Sequence, residues 1–244
     1  HGLPTLKNVF TRVGKPWRPA SADEGFEIVR RRLFEPIDAK DSITAREAVV
    51  RSFVKMYKDS SDDFPLGCGE KAYERDIINA YPIHPELFRP LQGGRGTVAK
   101  SGRPRGVPGR VAKVPHRLWE SQDASLMILP SSVPMYDGAV RSELTRYLPD
   151  VWEPIISLDV DGEHSLPLEL DRASPNLGKV SACRRVARAL YMGTAPGADN
   201  KNPGIDDRRV RLGCVQPGES VATFGDALRR ISDRAKYIHQ DGNR

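Results

Sequence analysis

SACRRVARALYMG, residues 181–193, places Val186, Ala189 and Leu190 on one helical face and Arg184, Arg185 and Arg188 on the other. Apolar recurrence at three and four residues marks an amphipathic helix. Gly193 suits the residue just past its end, where a left-handed backbone is common. The spacing predicts a helix over 181–192, and similar segments on either side predict a mainly α fold.

Upstream, Ser21 and Glu24 have capping-box spacing ahead of Phe26, Val29, Leu33 and Ile37, with Pro36 as the stop. Thr44 and Glu47 repeat that spacing, so a second helix is expected over 45–57. A third is expected over 70–80. Pro85 fits the first turn of a fourth, and 114–119 forms a short one. Downstream, helices are expected over 137–148, 208–214 and 219–236, the last with Val221, Phe224, Leu228 and Ile231 inward. The LMILP run (126–130) is a strand candidate. Tyr237–His239 reads as the start of another, followed by the turn dipeptide Asp241-Gly242. The chain stops before a returning strand, and its first residue is His1 rather than Met, so the sequence reads as a piece of something longer.

The expected organisation is an extended arm over 1–20, where Pro4, Pro16 and Pro19 oppose a helix. A first region spans 21–135, with an irregular basic insert at 89–115. A second, helical region spans 136–244. Residues 151–170 alternate apolar and acidic positions without a clean period. Asp159, Asp161 and Glu163 there could in principle hold a divalent cation, but their spacing departs from a calcium loop. A solvated turn around Gly162 is the expectation, and no metal site is assigned.

Charge is concentrated in one stretch. The chain carries 38 Lys and Arg against 32 Asp and Glu, a net +6 over 244 residues. Residues 89–117 hold eight of the basic residues and no acid, leaving 30 basic against 32 acidic residues elsewhere. The same stretch contains six glycines and four prolines, so loop or disorder is expected from 93 to 108. Arg103, Arg110, Lys113 and Arg117, with Arg184 and Arg188 further on, are candidate contacts to phosphate or nucleic acid.

The sequence excludes several chemistries. It has no GxxxxGK[ST] loop, no HExxH and no GxSxG, and no catalytic residue is assigned. The five histidines are scattered, and His84, between two prolines, is expected to hydrogen-bond a helix start. Cys68, Cys183 and Cys214 form neither a disulfide framework nor a zinc pattern, which predicts reduced thiols and a cytoplasmic protein. No apolar run is long enough to span a membrane.

Five stretches carry a resemblance: EGFEIVRRRLFEPI (24–37), YPIHPELF (81–88), HRLWESQDASLMILPSSVPM (116–135), VRSELTRYL (140–148), and DDRRVRLGCVQPGE (206–219) with FGDALRRISDRAKYIHQDG (224–242). Together they resemble large bacterial AAA+-like ATP-binding proteins of uncharacterised function, found near DNA-modification genes in defence-type clusters. The resemblance implies that the chain is the back part of the ATPase core, its bundle-like helical lid and the start of a winged-helix-like module. It implies ATP and magnesium as cofactors of the parent protein, with the P-loop on a segment upstream of His1. It also implies a homo-oligomer and a DNA or DNA-modification partner. Pro104-Arg105-Gly106 stands at the family's TRG-like step, which makes Arg105 the nucleotide-sensing arginine. Residues 89–101 depart from the family, being glycine-rich where it is helical, aromatic and acidic. The alternative reading is a helical DNA-binding or protein-interaction module using Arg184, Arg185, Arg188, Arg229, Arg230 and Arg234.

Overall fold

The computed structural model describes residues 30–88, 112–146, 148–195 and 204–239. The arm at 1–20, the glycine-rich part of the insert and Asp241-Gly242 lie outside the described residues. The described residues are mainly helical, as expected.

Helix α1 (Lys40–Asp59) buries Val50, Phe53, Val54 and Tyr57, at the i, i+3, i+4, i+7 spacing of one face. It begins five residues before the expected start. Thr44 is no cap: its hydroxyl donates to the Lys40 carbonyl at 2.9 Å. Nothing between Lys40 and Thr44 breaks a helix, and Asp41 in the first turn suits the positive helix end. Helix α2 (Lys71–Ala80) comes after a loop and buries Ile77 and Ala80. Residues 85–88 are helical with Pro85 at the start, and Leu87 and Phe88 are buried.

Helix α3 (Lys113–Glu120) leads into the 126–130 run. This run is not a strand of a sheet. Among the described residues the only β pairing is an isolated parallel bridge between Ile83 and Ile128. Ile128 donates to Pro82 O at 2.9 Å, and His84 donates to Ile128 O at 3.0 Å. Pro82 and Pro130 lack the amide that a ladder would need to continue. The chain instead makes a single 3₁₀ turn over Pro130–Ser132. Helix α4 (Gly138–Thr145) starts on Asp137, whose Oδ1 accepts from the amides of Ala139 and Val140, each at 3.0 Å.

Helix α5 (Trp152–Ile155) runs directly into a π-turn over Ile156–Val160. Helix α6 (Leu166–Ala173) and the short α7 (Pro175–Gly178) come next. The expected solvated turn around Gly162 is thus corrected: Asp159 and Asp161 are buried at the end of a wide helical turn. Helix α8 (Ala182–Thr194) buries Ala182, Cys183, Val186, Ala187, Ala189, Tyr191 and Met192. It packs against the 130–132 turn, α6, α9 (Asp207–Leu212) and α10 (Val221–Arg234). Phe224, Ala227 and Ile231 are the buried face of α10.

One hydrophobic cluster runs from Val50 to Ile231, so the stretches on either side of 135/136 share a core. Each large apolar side chain buried there contributes roughly 1.5–3 kcal/mol. Tyr237–His239 is not a strand, and the Tyr237 amide donates to Asp159 Oδ2 at 2.7 Å. Among the described residues no helix is long and apolar enough to cross a membrane.

Candidate functional site

The wide turn sets the site. A π-turn closes with a bond from residue i to i−5, and Asp161 N donates to Ile156 O at 2.9 Å. Glycine is required at 162 because a Cβ there would lie 2.1 Å from Ser157 O. The turn swings the Asp161 carboxylate, 0% exposed, against α8. Arg184 and Arg188, one helical turn apart, meet it there. Arg184 donates to Oδ1 from Nε at 3.0 Å and Nη2 at 2.7 Å. Arg188 donates from Nη2 to Oδ1 and from Nε to Oδ2, both at 2.9 Å. The Tyr136 amide completes the shell at 2.9 Å from Oδ2.

One carboxylate against two guanidiniums leaves a surplus positive charge. Burial without such pairing would be costly for the acid, and removing the acid would strand both cations. The Tyr136 ring is 41% exposed. It lies 5.5 Å from the Arg184 guanidinium, 5.6 Å from that of Arg188 and 6.0 Å from that of Arg117. Three sequence-predicted cations therefore converge on one ring, at cation–π distance. Arg117 also pairs with Asp137 and Glu120, each at 3.2 Å. Lys113 does not join them and instead pairs with Glu143 at 3.5 Å. Arg103, Arg105 and Arg110 lie outside the described residues.

Beside the arginines is a cleft of about 280 Å³, lined by Ser131, Ser132, Lys179, Ser181, Arg184 and Arg188, among others. Asp123 and Arg185 also reach it. Arg185 is tied down by Glu219, by the Cys214 carbonyl and by the Phe224 ring at 4.8 Å. At the base of α8 the amides of Cys183 and Arg184 donate to Asp171, at 2.9 and 3.1 Å. Burial pushes the Asp171 carboxyl above its usual range against the pull of those amides. Sequence reasoning singled out neither Ser131 nor Asp171, because a serine in a Pro-Ser-Ser run and an acid inside a helix carry no local signal of burial.

Two of the thiols and one histidine are held in their neutral forms by burial. Burial pushes the Cys183 and Cys214 thiols up to about 12, far from the thiolate that reacts. His84 is fully buried, and desolvation lowers it to about 3. Its Nδ1 accepts from the Glu86 amide at 3.2 Å, at the start of helix 85–88, which leaves Nε2–H to donate to the Tyr57 hydroxyl at 3.0 Å. Among the described residues no cluster of His, Cys, Asp and Glu has the makings of a metal site. The Asp159, Asp161 and Glu163 trio fails for a clear reason: Asp159 holds the Tyr237 amide, and Asp161 holds two arginines. No family model, curated protein or solved structure matches the chain.

Proposed function

We propose that this chain is a non-catalytic helical module of a larger AAA+-like ATP-binding protein. In this reading a preceding segment supplies the P-loop and holds ATP and magnesium, and the module supplies the lid. The observation that carries it is the lack of any β ladder among the described residues, beside thiols and a histidine silenced by burial. A P-loop joins a strand to a helix and cradles phosphate on backbone amides, and a mainly helical set of described residues is consistent with a lid that lacks it. The linear resemblance of stretches such as YPIHPELF (81–88) and HRLWESQDASLMILPSSVPM (116–135) supplies the family. Arg105 remains the proposed nucleotide-sensing residue, with Arg103 and Arg110 as proposed phosphate or nucleic-acid contacts. Self-association and a DNA-modification partner belong to the same proposal, as does the start of a winged-helix-like module toward residue 242, although residues 237–239 form no strand.

The alternative, a DNA-binding or protein-interaction module, has weaker support. Arg185 pairs with Glu219, and Arg229 and Arg230 share Asp226, so each of these arginines already has an acidic neighbour. The test is phosphate release from ATP and magnesium, by this chain alone and by the chain joined to its upstream reading frame. Background release from the first and turnover by the second are expected. Turnover by the chain alone that disappears on a point substitution within it overturns the reading.

A further inference from the structure

We propose that the cleft between the 130–132 turn and the first turns of α8 binds a phosphoryl anion: inorganic phosphate or the terminal phosphate group of a small molecule. The first observation is charge. Lys179, Arg184, Arg185 and Arg188 line the cleft against Asp123. Asp161 and Glu219 pair with the three arginines, and Lys179 enters no ion pair among the described residues.

The second observation is an unmatched donor. Ser131 lines the cleft and is 1% exposed, and its buried Oγ has no hydrogen-bond partner among the described residues. Leaving a buried hydroxyl unmatched is unfavourable, and an acceptor in the cleft would match it. Its neighbour Ser132 differs, since its Oγ already accepts from the Leu129 amide at 3.2 Å.

The third observation is preorganisation. Arg188 is fixed by Asp161 through Nε and Nη2 and by the Ser131 carbonyl through Nη1 at 3.3 Å. Its guanidinium is thus held at the same residue that carries the unmatched hydroxyl. Arg184 uses only Nε and Nη2 on Asp161, so its Nη1 enters no hydrogen bond among the described residues. Lys179 is exposed on the rim. The first amides of α8 are occupied by Asp171, so the site works through side chains rather than the helix end.

A terminal phosphate group suits this set. It is dianionic near neutral pH, and its tetrahedral oxygens accept at once from a hydroxyl, a guanidinium and an ammonium. The cleft's roughly 280 Å³ is at the lower end of small-molecule pockets, which favours a small ligand over a polymer. This inference does not depend on the ATPase-module reading.

The test is calorimetric titration of the whole chain with inorganic phosphate to about 10 mM, the range of a millimolar site, at ionic strength matched with sodium chloride. ATP without magnesium and a short DNA duplex form parallel arms. Saturable binding of phosphate or of ATP is expected, weakened about three- to tenfold by Ser131→Ala and by Lys179→Ala. The thermal midpoint of ligand-free Ser131→Ala is expected to be unchanged or higher, because the substitution removes an unmatched buried group. That outcome separates a lost ligand contact from a damaged fold. Failure of both phosphate and ATP to saturate, equal affinity in wild type and both variants, or binding of the duplex alone overturns the proposal.

Discussion

Two buried polar centres hold this molecule together, and they are built on opposite terms. Around His84, a neutral imidazole is sealed among aromatic rings, with an ion pair at its edge. Tyr57, Phe53 and Tyr73 lie with their ring centroids about 6 Å from the imidazole, and Glu86 beside it pairs with Arg209 at 3.2 Å. Around Asp161, a bare carboxylate is matched by two cations whose outer edges reach a cleft, with Arg184 24% and Arg188 11% exposed. The sealed centre excludes water and keeps its histidine uncharged. The arginine centre keeps charge at a boundary where a ligand can meet it. Burial of polar groups therefore serves cohesion in one place and leaves recognition chemistry available in the other.

The largest test of this contrast is Asp161→Ala. It leaves two guanidiniums facing each other without their acid, and about 3–5 kcal/mol of stability is expected to be lost in urea denaturation. A loss below about 1 kcal/mol, the range of a solvent-screened pair, would break the comparison, because it would mean that water already screens the arginines. Acid sharpens the other side. The folded His84 value of about 3 lies below the ordinary 6.5, so the unfolded chain binds the extra proton between these limits. The contribution is complete above pH 6.5 and is lost as pH falls toward 3. Between about pH 6.5 and 4.5 a loss of roughly 2–3 kcal/mol is expected from this residue. Denaturation at several pH values, wild type against His84→Gln, checks it, and an identical slope in both proteins would contradict it. The smallest effect is Tyr57→Phe, which strands the Nε2–H of His84 and is expected to cost about 1–2 kcal/mol. It should leave phosphate titration of the cleft, which neither residue lines, unchanged, as a calorimetric run would show.

How far each centre is legible in the sequence depends on where its information lies. Helices α2, α8 and α10 are legible because their apolar faces repeat at helical spacing through residues such as Val186, Phe224 and Ile231. The start of α1 is hidden because Thr44 and Glu47 imitate a capping box in mid-helix, where the hydroxyl turns back on a carbonyl. The 151–178 stretch is opaque for two reasons. Pro154, Pro167 and Pro175 look like breakers, yet they sit in first turns, where the missing amide costs little. The π-turn also shifts the period, so no single helical wheel fits. Arg184 and Arg188 are legible as cations on one face. Their partner is not, because Asp161 lies 23 residues before Arg184 and only the wide turn brings it inward. Ser131 carries no signal, since an unmatched hydroxyl is a property of its surroundings.

The π-turn at 156–160 holds one residue more than an α-helical turn would need to span the same rise. The arginine centre is therefore governed by the length of the chain as much as by its composition. Loss of Leu158, an exposed side chain with nothing to contribute to the core, would let the segment relax to ordinary helix and rotate the downstream chain by about 100°. Every residue type at the cleft would survive such a deletion, yet Asp161 would no longer face α8. Insertions and deletions in this short segment are thus the changes to which the cleft is most exposed, and a comparison that counts only substitutions would miss them.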